Sequence, residues 1–231
     1  MVHIHSRIDV LFPLRERFGK SKKIILHYHG TDIRGLNSSI ISLNKWNISQ
    51  FVPSSKALLK KLLHKKSTHY IRHKKAQIDA DAVLVSTPDL LNLVEDATYL
   101  PNPVDTEHFK AGEDIRRNGK KALTIDSEAT DIQKALKYCK NNGINLDIEV
   151  YDRTQRPIMY QDMPEFLKHY NIYVDIRYVD GQLLQNLSKS ALESLSSGLE
   201  VLDFRLEYRR GLPPEHNPLS VISRISNVYS C

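Results

Sequence analysis

An α/β fold with parallel sheets is what the sequence predicts, on three observations. Short apolar, β-branched stretches alternate with stretches of helical spacing along the chain, which is the order of elements in α/β proteins. The stretch ADAVLVS is almost wholly apolar, as expected for a parallel strand that is buried on both faces. The turn-rich stretch PNPVDTEHF interrupts the alternation and predicts two such domains, residues 1–103 and 104–231.

In the first domain, strands are predicted at MVHIH, KKIILHYHG and ADAVLVS, and ATYLPNP predicts a short strand that runs into a turn. The stretch KALLKKLLHKK places leucines at helical spacing between lysines, which predicts an amphipathic helix. STPDLLNLV predicts a short helix that Ser86 or Thr87 can cap. Pro88 suits the first turn of that helix, and Asp89 complements its dipole.

In the second domain the alternation begins again. Helices are predicted at ATDIQKALKYCKNNG, MPEFLKHY, SKSALESLSSG and LSVISRISNVY, and Gly143 and Gly198 close the first and third of them. Strands are predicted at KKALTID, LDIEVYD, IYVDIRYV and LEVLDF.

The composition of the 231 residues excludes several classes of protein. Cys139 and Cys231 are the only cysteines, which excludes a disulfide framework and a cysteine-rich zinc module and fits a reducing cytoplasm. No apolar run approaches the roughly 20 residues that span a bilayer, and the first residues lack the pattern of a signal peptide. We therefore expect a cytoplasmic protein.

The positive charge is concentrated in one stretch of the first domain. No acidic residue lies between Asp32 and Asp79, whereas ten lysines and arginines do: Arg34, Lys45, Lys56, Lys60, Lys61, Lys65, Lys66, Arg72, Lys74 and Lys75. Because the whole chain has a formal net charge of +6, the rest of it carries 6 − 10 = −4.

This basic stretch is open to two interpretations. Lys56–Lys75 is either a solvated helix face or a peripheral helix at the inner membrane face, with leucines toward lipid and lysines on anionic headgroups. Nucleic acid is the least favoured partner, because no aromatic platform beyond Tyr70 accompanies the lysines.

The stretch LHYHGTDIRG follows a predicted strand and contains several residues that carry chemistry. His27 and His29 face the same side of that strand, as metal ligands do, but no third ligand has an obvious spacing and we expect no metal. Its two glycines match neither phosphate-binding motif. His29 at the strand end is either structural or functional, and core packing is the default for His3 and His5.

Three stretches together resemble retaining glycosyltransferases of the GT-B fold, of the family-4 (glycosyl transferase group 1) type in a compact, archaeal-like form. They are HYHGTDIRG, the segment from ADAVLVSTPDLL to YLPNPVDTEHF, and SKSALESLSSGLEVL, and the resemblance covers nearly the whole chain. It implies two Rossmann-like domains with the active site in the cleft. The implied reaction moves a hexose from a GDP- or UDP-linked donor to a glycan or lipid-linked acceptor with retention. It implies neither a metal nor another cofactor.

The resemblance also assigns roles to individual residues. In the family, the histidine that matches His29 lies beside the transferred sugar, and Asp32 would orient it or bind acceptor hydroxyls. Glu193 matches the glutamate that binds the donor ribose, and Gln185 stands where a second glutamate approaches the sugar. The diphosphate would lie on backbone N–H groups at a helix start, those of Leu187, Ser188, Lys189 and Ser190. The acceptor or cleft side would comprise His5, Gly30, Arg34, Ser86 and Asn102.

Other readings of these residues stay open. Glu193 could be a surface helix residue and Gln185 a solvated loop residue. The start MVHIHS resembles roughly the fourth strand of the family, which implies that the first part of the N-terminal domain is missing. A fragment, a mis-started reading frame and a reduced relative would each explain this.

Two further functions compete with glycosyl transfer. Gln185 and the lack of a clear Arg–Lys pair after KKALTID favour a catalytically impaired or non-catalytic relative that binds a nucleotide-sugar or a partner. Lys120, Lys121 or Lys134 could substitute for that pair. The third possibility is a basic protein associated with membrane or nucleic acid that performs no chemistry.

Overall fold

The computed structural model describes residues 1–30, 33–34, 69–112, 121–126, 130–179 and 181–230. The chain divides into two compact units, Met1–Pro101 (unit 1) and Asn102–Cys231 (unit 2). Both units combine helices with a largely parallel sheet, so the predicted α/β class with parallel sheets is confirmed. The boundary between the units falls close to the one that the turn-rich segment predicts.

Unit 1 is built on a four-stranded sheet in the order β1-β2-β3-β4, in which every neighbouring pair is parallel. Its strands are β1 (Val2–His5), β2 (Ile24–Tyr28), β3 (Ala82–Val85) and β4 (Thr98–Tyr99). The four strands predicted in this part of the chain are therefore confirmed. All five residues of β2 are buried, as expected for a central parallel strand.

One face of the unit 1 sheet packs against helices. Ile4, Leu26 and Val85 point to this face and share a core with α1 (Ile8–Phe18) and the helical residues 69–79 (α2). The sequence did not reveal α1, because only Ile8 and Leu11 of its residues are buried and Pro13 lies inside it. Since strand residues alternate between faces, His3, His5 and His27 lie on the opposite face.

The helix predicted at STPDLLNLV is present as a short 3₁₀ helix, Pro88–Asn92, rather than an α-helix. Thr87 occupies the position before it but makes no capping hydrogen bond. Its hydroxyl instead accepts a hydrogen bond from Arg34, at 2.9 Å. The predicted capping role is therefore wrong for Thr87, because a guanidinium competes for the same oxygen.

Unit 2 has a five-stranded sheet in the order β11-β10-β7-β5-β6, in which only the β10–β11 pair is antiparallel. Strands β8 and β9 form a separate antiparallel hairpin. The strands are β5 (Lys121–Asp126), β6 (Asp147–Asp152), β7 (Ile172–Val174), β8 (Tyr178–Val179), β9 (Gln182–Leu183), β10 (Glu200–Leu202) and β11 (Tyr208–Arg209).

Helices cover both faces of the unit 2 sheet. On one face Leu123 and Tyr173 share a core with α4 (Met163–Leu167) and α5 (Lys189–Ser196). On the other face, residues of β5, β7 and β10 share a core with α3 (Ile132–Asn141). The last helix is α6 (Pro218–Ser230), and all four α-helices in the described part of unit 2 were predicted.

The single strand predicted at IYVDIRYV is wrong. The chain leaves the sheet after Val174 and pairs again only from Tyr178, in the hairpin. The buried Asp175 carboxylate lies 3.0 Å from Arg177 and accepts the amide of Ser188, so a local polar network replaces strand pairing.

The basic stretch is described only in part. The helix predicted at residues 56–66 lies outside the described residues, and so do all the lysines of Lys56–Lys75 except the two on α2. Those two have neighbours within unit 1: Lys74 lies 3.5 Å from Glu95, and Lys75 lies over the ring of Phe12. In the part of the chain that is described, no helix has the length and apolar character that crossing a bilayer requires.

Candidate functional site

In unit 1 the predicted site residues gather at the carboxyl edge of the parallel sheet. His5 is the last residue of β1, His29 follows β2 and Ser86 follows β3. Open parallel sheets bind ligands at this edge. Nδ1 of His5 and Nε2 of His29 are 2.8 Å apart, so the structure brings these two residues together in one hydrogen bond.

Four histidines form one group, which we call the histidine cluster: His3, His5, His27 and His29. The parallel register places His5 opposite His27 on the neighbouring strand. Ring centroids are 4.4 Å apart between His3 and His5, 5.2 Å between His5 and His27, and 4.3 Å between His27 and His29. Possible ligand nitrogens of His3, His5 and His27 lie within 4.8 Å of one another.

Burial and crowding keep two of these rings uncharged. Burial, followed by the neighbouring histidines, lowers the pKa of His27 to about 3 and that of His3 to about 4. At pH 7 both imidazoles are therefore neutral, the form that carries a free nitrogen lone pair. Neither ring nitrogen of the buried His27 has a hydrogen-bond partner among the described residues.

The backbone beside the cluster adopts unusual conformations. Ser6, directly after His5, has a φ of 58°, and its amide donates to the carbonyl oxygen of His27. Gly30 has a φ of 107°, and a Cβ placed there would lie 2.3 Å from an Arg34 nitrogen. Gly30 is thus required by conformation and by the close approach of a side chain, which is a structural role.

Arg34, predicted on the acceptor side, is engaged inside unit 1. Its guanidinium donates to both carboxylate oxygens of Asp89, at 2.8 and 3.1 Å, and to Thr87. This paired geometry fixes the guanidinium against the 3₁₀ helix. The Nε and Nη2 donors of Arg34 are therefore engaged with Asp89 and Thr87, and its contact with an acceptor stays a prediction.

The other predicted residues on the acceptor side are placed as follows. The Ser86 hydroxyl is buried and has no hydrogen-bond partner among the residues that the structure describes, while its amide donates to Tyr28. In unit 2, Asn102 is half-buried, and its carbonyl oxygen accepts a hydrogen bond from His216. Asp32 lies outside the described residues.

In unit 2 the start of α5 lies at the carboxyl end of β7. Asp175 directly follows β7, and its carboxylate accepts the Ser188 amide at 2.8 Å. The Ser188 hydroxyl caps the helix by accepting from Ala191, at 3.0 Å. A protein carboxylate thus occupies the Ser188 amide in this structure, and binding of a diphosphate to this amide stays a prediction.

The remaining residues predicted at the helix start differ in exposure. Leu187 packs against the core on the α4–α5 face, and Ser190 accepts a hydrogen bond from Ser194 through its carbonyl oxygen. Lys189 is exposed, and so is Gln185. Gln185 therefore lies on the surface of unit 2, where its amide can reach a ligand or solvent.

Glu193 is not the surface residue that its glutamate side chain would suggest. It is only 7% exposed, and its nearest cation is Lys189, at 3.6 Å in the ion pair. Burial raises the pKa of Glu193, while Lys189, Arg153 and His108 oppose that rise. A carboxylate whose pKa is shifted by burial and by a nearby charge is a frequent feature of binding and catalytic sites.

Aromatic residues near Glu193 were missed at the sequence level. Tyr160 is 49% exposed and stacks on His108 with ring centroids 4.8 Å apart. The ammonium of Lys189 lies 5.4 Å from the Tyr160 ring centroid. After burial and Asp105, Glu193 also raises the pKa of Tyr160, so these groups share one electrostatic environment. No spacing signal joins residues this far apart in sequence.

The lysines that could replace the family's Arg–Lys pair have partners within unit 2. Lys121 lies 3.1 Å from Glu149 and above the ring of Tyr170. Lys134 donates to the carbonyl oxygen of Gly181 at 2.7 Å and lies over Tyr178. Lys120 is outside the described residues. Neither described lysine is directed to the start of α5 by these contacts.

Comparison with known proteins adds no assignment to this geometry. No protein-family model matches the chain, and no curated protein matches it. Among the described residues, those that carry chemistry gather in the histidine cluster of unit 1 and around Glu193 in unit 2.

Proposed function

We propose that the chain is a GT-B glycosyltransferase of two Rossmann-like domains that moves a hexose from a nucleotide-diphosphate sugar to an acceptor with retention. The observation that carries the proposal is Glu193, a buried carboxylate on α5 that has one ion-pair partner among the described residues, at 3.6 Å. Burying a carboxylate is unfavourable unless hydrogen-bond donors compensate it. The two hydroxyls of a ribose are donors that suit one carboxylate.

The surroundings of Glu193 match the other parts of a nucleotide. The exposed ring of Tyr160 offers a face on which a base can stack. Lys189, between that ring and Glu193, supplies a positive charge that a phosphate would attract. The amides of Lys189 and Ser190 are in the first turn of α5, where backbone N–H groups favour anions.

The acceptor-side groups of the proposal belong to unit 1. His29 is exposed and joined to His5 by a hydrogen bond, so its ring has a defined orientation at the carboxyl edge of the sheet. Catalysis would rest on positioning of the sugar and on stabilising the charge of the departing diphosphate. Gln185 can hydrogen-bond to sugar hydroxyls, but it adds no charge.

Titration calorimetry with UDP and GDP tests the donor site. Glu193→Gln keeps the shape of the side chain and removes its charge. We expect it to weaken binding about 10- to 100-fold, the range for losing a hydrogen bond to a charged group. Glu165→Gln is the matched control, because Glu165 is an exposed glutamate on α4 of the same unit. Equal affinity in wild type and Glu193→Gln would remove the ribose assignment.

The same titration with a 2′,3′-dideoxy nucleotide locates the contact on the ligand. If Glu193 binds the ribose hydroxyls, wild type should bind the dideoxy nucleotide more weakly than the unmodified one. Glu193→Gln should bind the two nucleotides with nearly equal affinity. Additive losses would show that the carboxylate acts elsewhere on the nucleotide.

A second candidate function is nucleotide-sugar binding without transfer. Gln185 favours it, because this glutamine adds no charge where the family has a glutamate. The described lysines that could replace the family's Arg–Lys pair, Lys121 and Lys134, have partners elsewhere in unit 2. Donor binding with no release of nucleoside diphosphate would support this candidate. Turnover of the donor would exclude it.

A further inference from the structure

Donor binding in unit 2 does not require the histidine cluster of unit 1. Strand β1 carries His3 and His5 at alternate positions, β2 carries His27, and the parallel register of the two strands places these three on one face. The sequence pattern alone offered only His27 and His29 as a pair. Two further candidate ligands, His3 and His5, come from the neighbouring strand.

We propose that the histidine cluster binds one divalent transition-metal ion of the zinc class, with His3, His5 and His27 as ligands. Nitrogens of these three residues already lie within 4.8 Å of one another. Around tetrahedral zinc, with bonds of about 2.0–2.1 Å, ligand nitrogens are about 3.3 Å apart. Binding therefore requires the nitrogens to approach one another by up to about 1.5 Å, and the stacked rings of His3, His5 and His27 to turn toward one ion.

The polar atoms of His27 give an independent reason for a ligand at this place. Both of its ring nitrogens are buried, and neither has a hydrogen-bond partner among the described residues. An imidazole buried in this way loses its hydration without compensation, which is unfavourable. A coordinated cation would satisfy one nitrogen directly.

The arrangement selects the class of ion. Imidazole nitrogens suit zinc, nickel, copper and cobalt, whereas magnesium and calcium need oxygen ligands that the cluster does not offer. The hydrogen bond between His5 Nδ1 and His29 Nε2 resembles the outer contact that orients a metal-bound histidine. Three protein ligands leave a fourth position for water or another small molecule.

The experiment uses the full chain without a polyhistidine tag, stripped of metal by a chelator and titrated with zinc chloride. We expect one zinc ion per chain and a higher Tm on binding, with no effect of magnesium chloride. If titration calorimetry gives no heat of zinc binding and zinc does not change the Tm, the proposal is overturned.

Single-residue variants test whether zinc binds at the histidine cluster. His5→Ala removes one of the three proposed ligands, and we expect it to weaken zinc binding at least about tenfold, since losing even an outer partner of a ligand has that effect. His169→Ala, at an exposed histidine of unit 2, is the matched control and should bind like wild type. Unchanged affinity in His5→Ala, with a loss in His69→Ala, would place zinc on the His69–His73 pair of α2 and contradict the proposal.

X-ray absorption of the zinc-loaded wild type gives a test that does not depend on any variant. A shell with three histidine nitrogens at about 2.0–2.1 Å from zinc supports the proposal. A six-oxygen shell without imidazole scattering would overturn it.

Discussion

At the scale of single residues, burial of the Glu193 carboxylate lowers the stability of the folded protein, and the same carboxylate is the proposed ribose ligand. Its carboxylate is buried beside Lys189, and burial raises its pKa in the folded protein. An acid with a raised folded-state pKa binds its proton more tightly in the folded state. Stability at this site is therefore greatest below the unfolded pKa of about 4 and falls as the pH rises.

Glu193→Gln should accordingly increase the free energy of unfolding at pH 7. The gain arises because a neutral amide replaces a buried charge, and it should shrink as the pH falls below about 4, where the wild-type carboxyl is protonated. Denaturant unfolding at a series of pH values measures the difference. A variant that is less stable than wild type at pH 7 would mean that the Lys189 ion pair outweighs burial.

The histidine cluster shows why a site can be invisible in sequence. His27 and His29 are spaced to share one face of a strand, but the alignment of His5 with His27 depends on the register of β1 against β2. No local pattern encodes that register. For the same reason Tyr160, distant in sequence from Glu193, could not be assigned to the donor-side group.

At the scale of elements, Asp81 joins α1 to the sheet of unit 1. Its carboxylate accepts the amide of Ile24 at 2.8 Å and pairs with Arg15 at 2.6 Å and with Lys20 at 3.0 Å. Partial burial raises the pKa of Asp81, but these three donors together lower it to about 2. The carboxylate thus holds the start of β2 and the end of α1 in place.

Asp81→Asn should lower the stability of unit 1 by about 1.5–3 kcal/mol at neutral pH, since it removes hydrogen bonds to a charged group. A lowered folded-state pKa gives stability that is present above the unfolded pKa of about 4 and is lost as the pH falls toward 2. The free energies of unfolding of wild type and Asp81→Asn should therefore approach each other as the pH falls toward 2.

Asp79→Asn is the control for this prediction, because Arg15 contacts the carbonyl oxygen of Asp79 and not its carboxylate. A stability difference between wild type and Asp81→Asn that stays constant from pH 7 to pH 2 would contradict the assignment.

The strands of the described sheets were largely predictable, because β-branched and apolar runs such as those of β2 and β3 reflect burial directly. The exception at Asp175 has a physical cause. The residues around it have strand composition, but its buried carboxylate forms an ion pair with Arg177 and accepts a hydrogen bond from the amide of Ser188, a partner farther along the chain. Tertiary hydrogen bonding then overrides local propensity.

At the scale of the whole molecule, each unit has its own hydrophobic core. Units with separate cores can fold alone. Residues 102–231, expressed alone, should therefore give a cooperative thermal transition by circular dichroism. Leu192→Ala in that segment should lower its stability by about 2–5 kcal/mol, because Leu192 is buried under the sheet. A non-cooperative melt would show that unit 2 depends on the rest of the chain.

Donor turnover followed by proton NMR is the most direct measurement of the proposed function. The full chain is incubated with UDP- and GDP-linked hexoses, and release of nucleoside diphosphate and the anomeric configuration of the first sugar product are recorded. We expect release from at least one donor, a product with the donor's anomeric configuration, and a rate that falls at least about tenfold in Glu193→Gln but not in Glu165→Gln. Absence of turnover with every donor, or equal rates in wild type and Glu193→Gln, would contradict it.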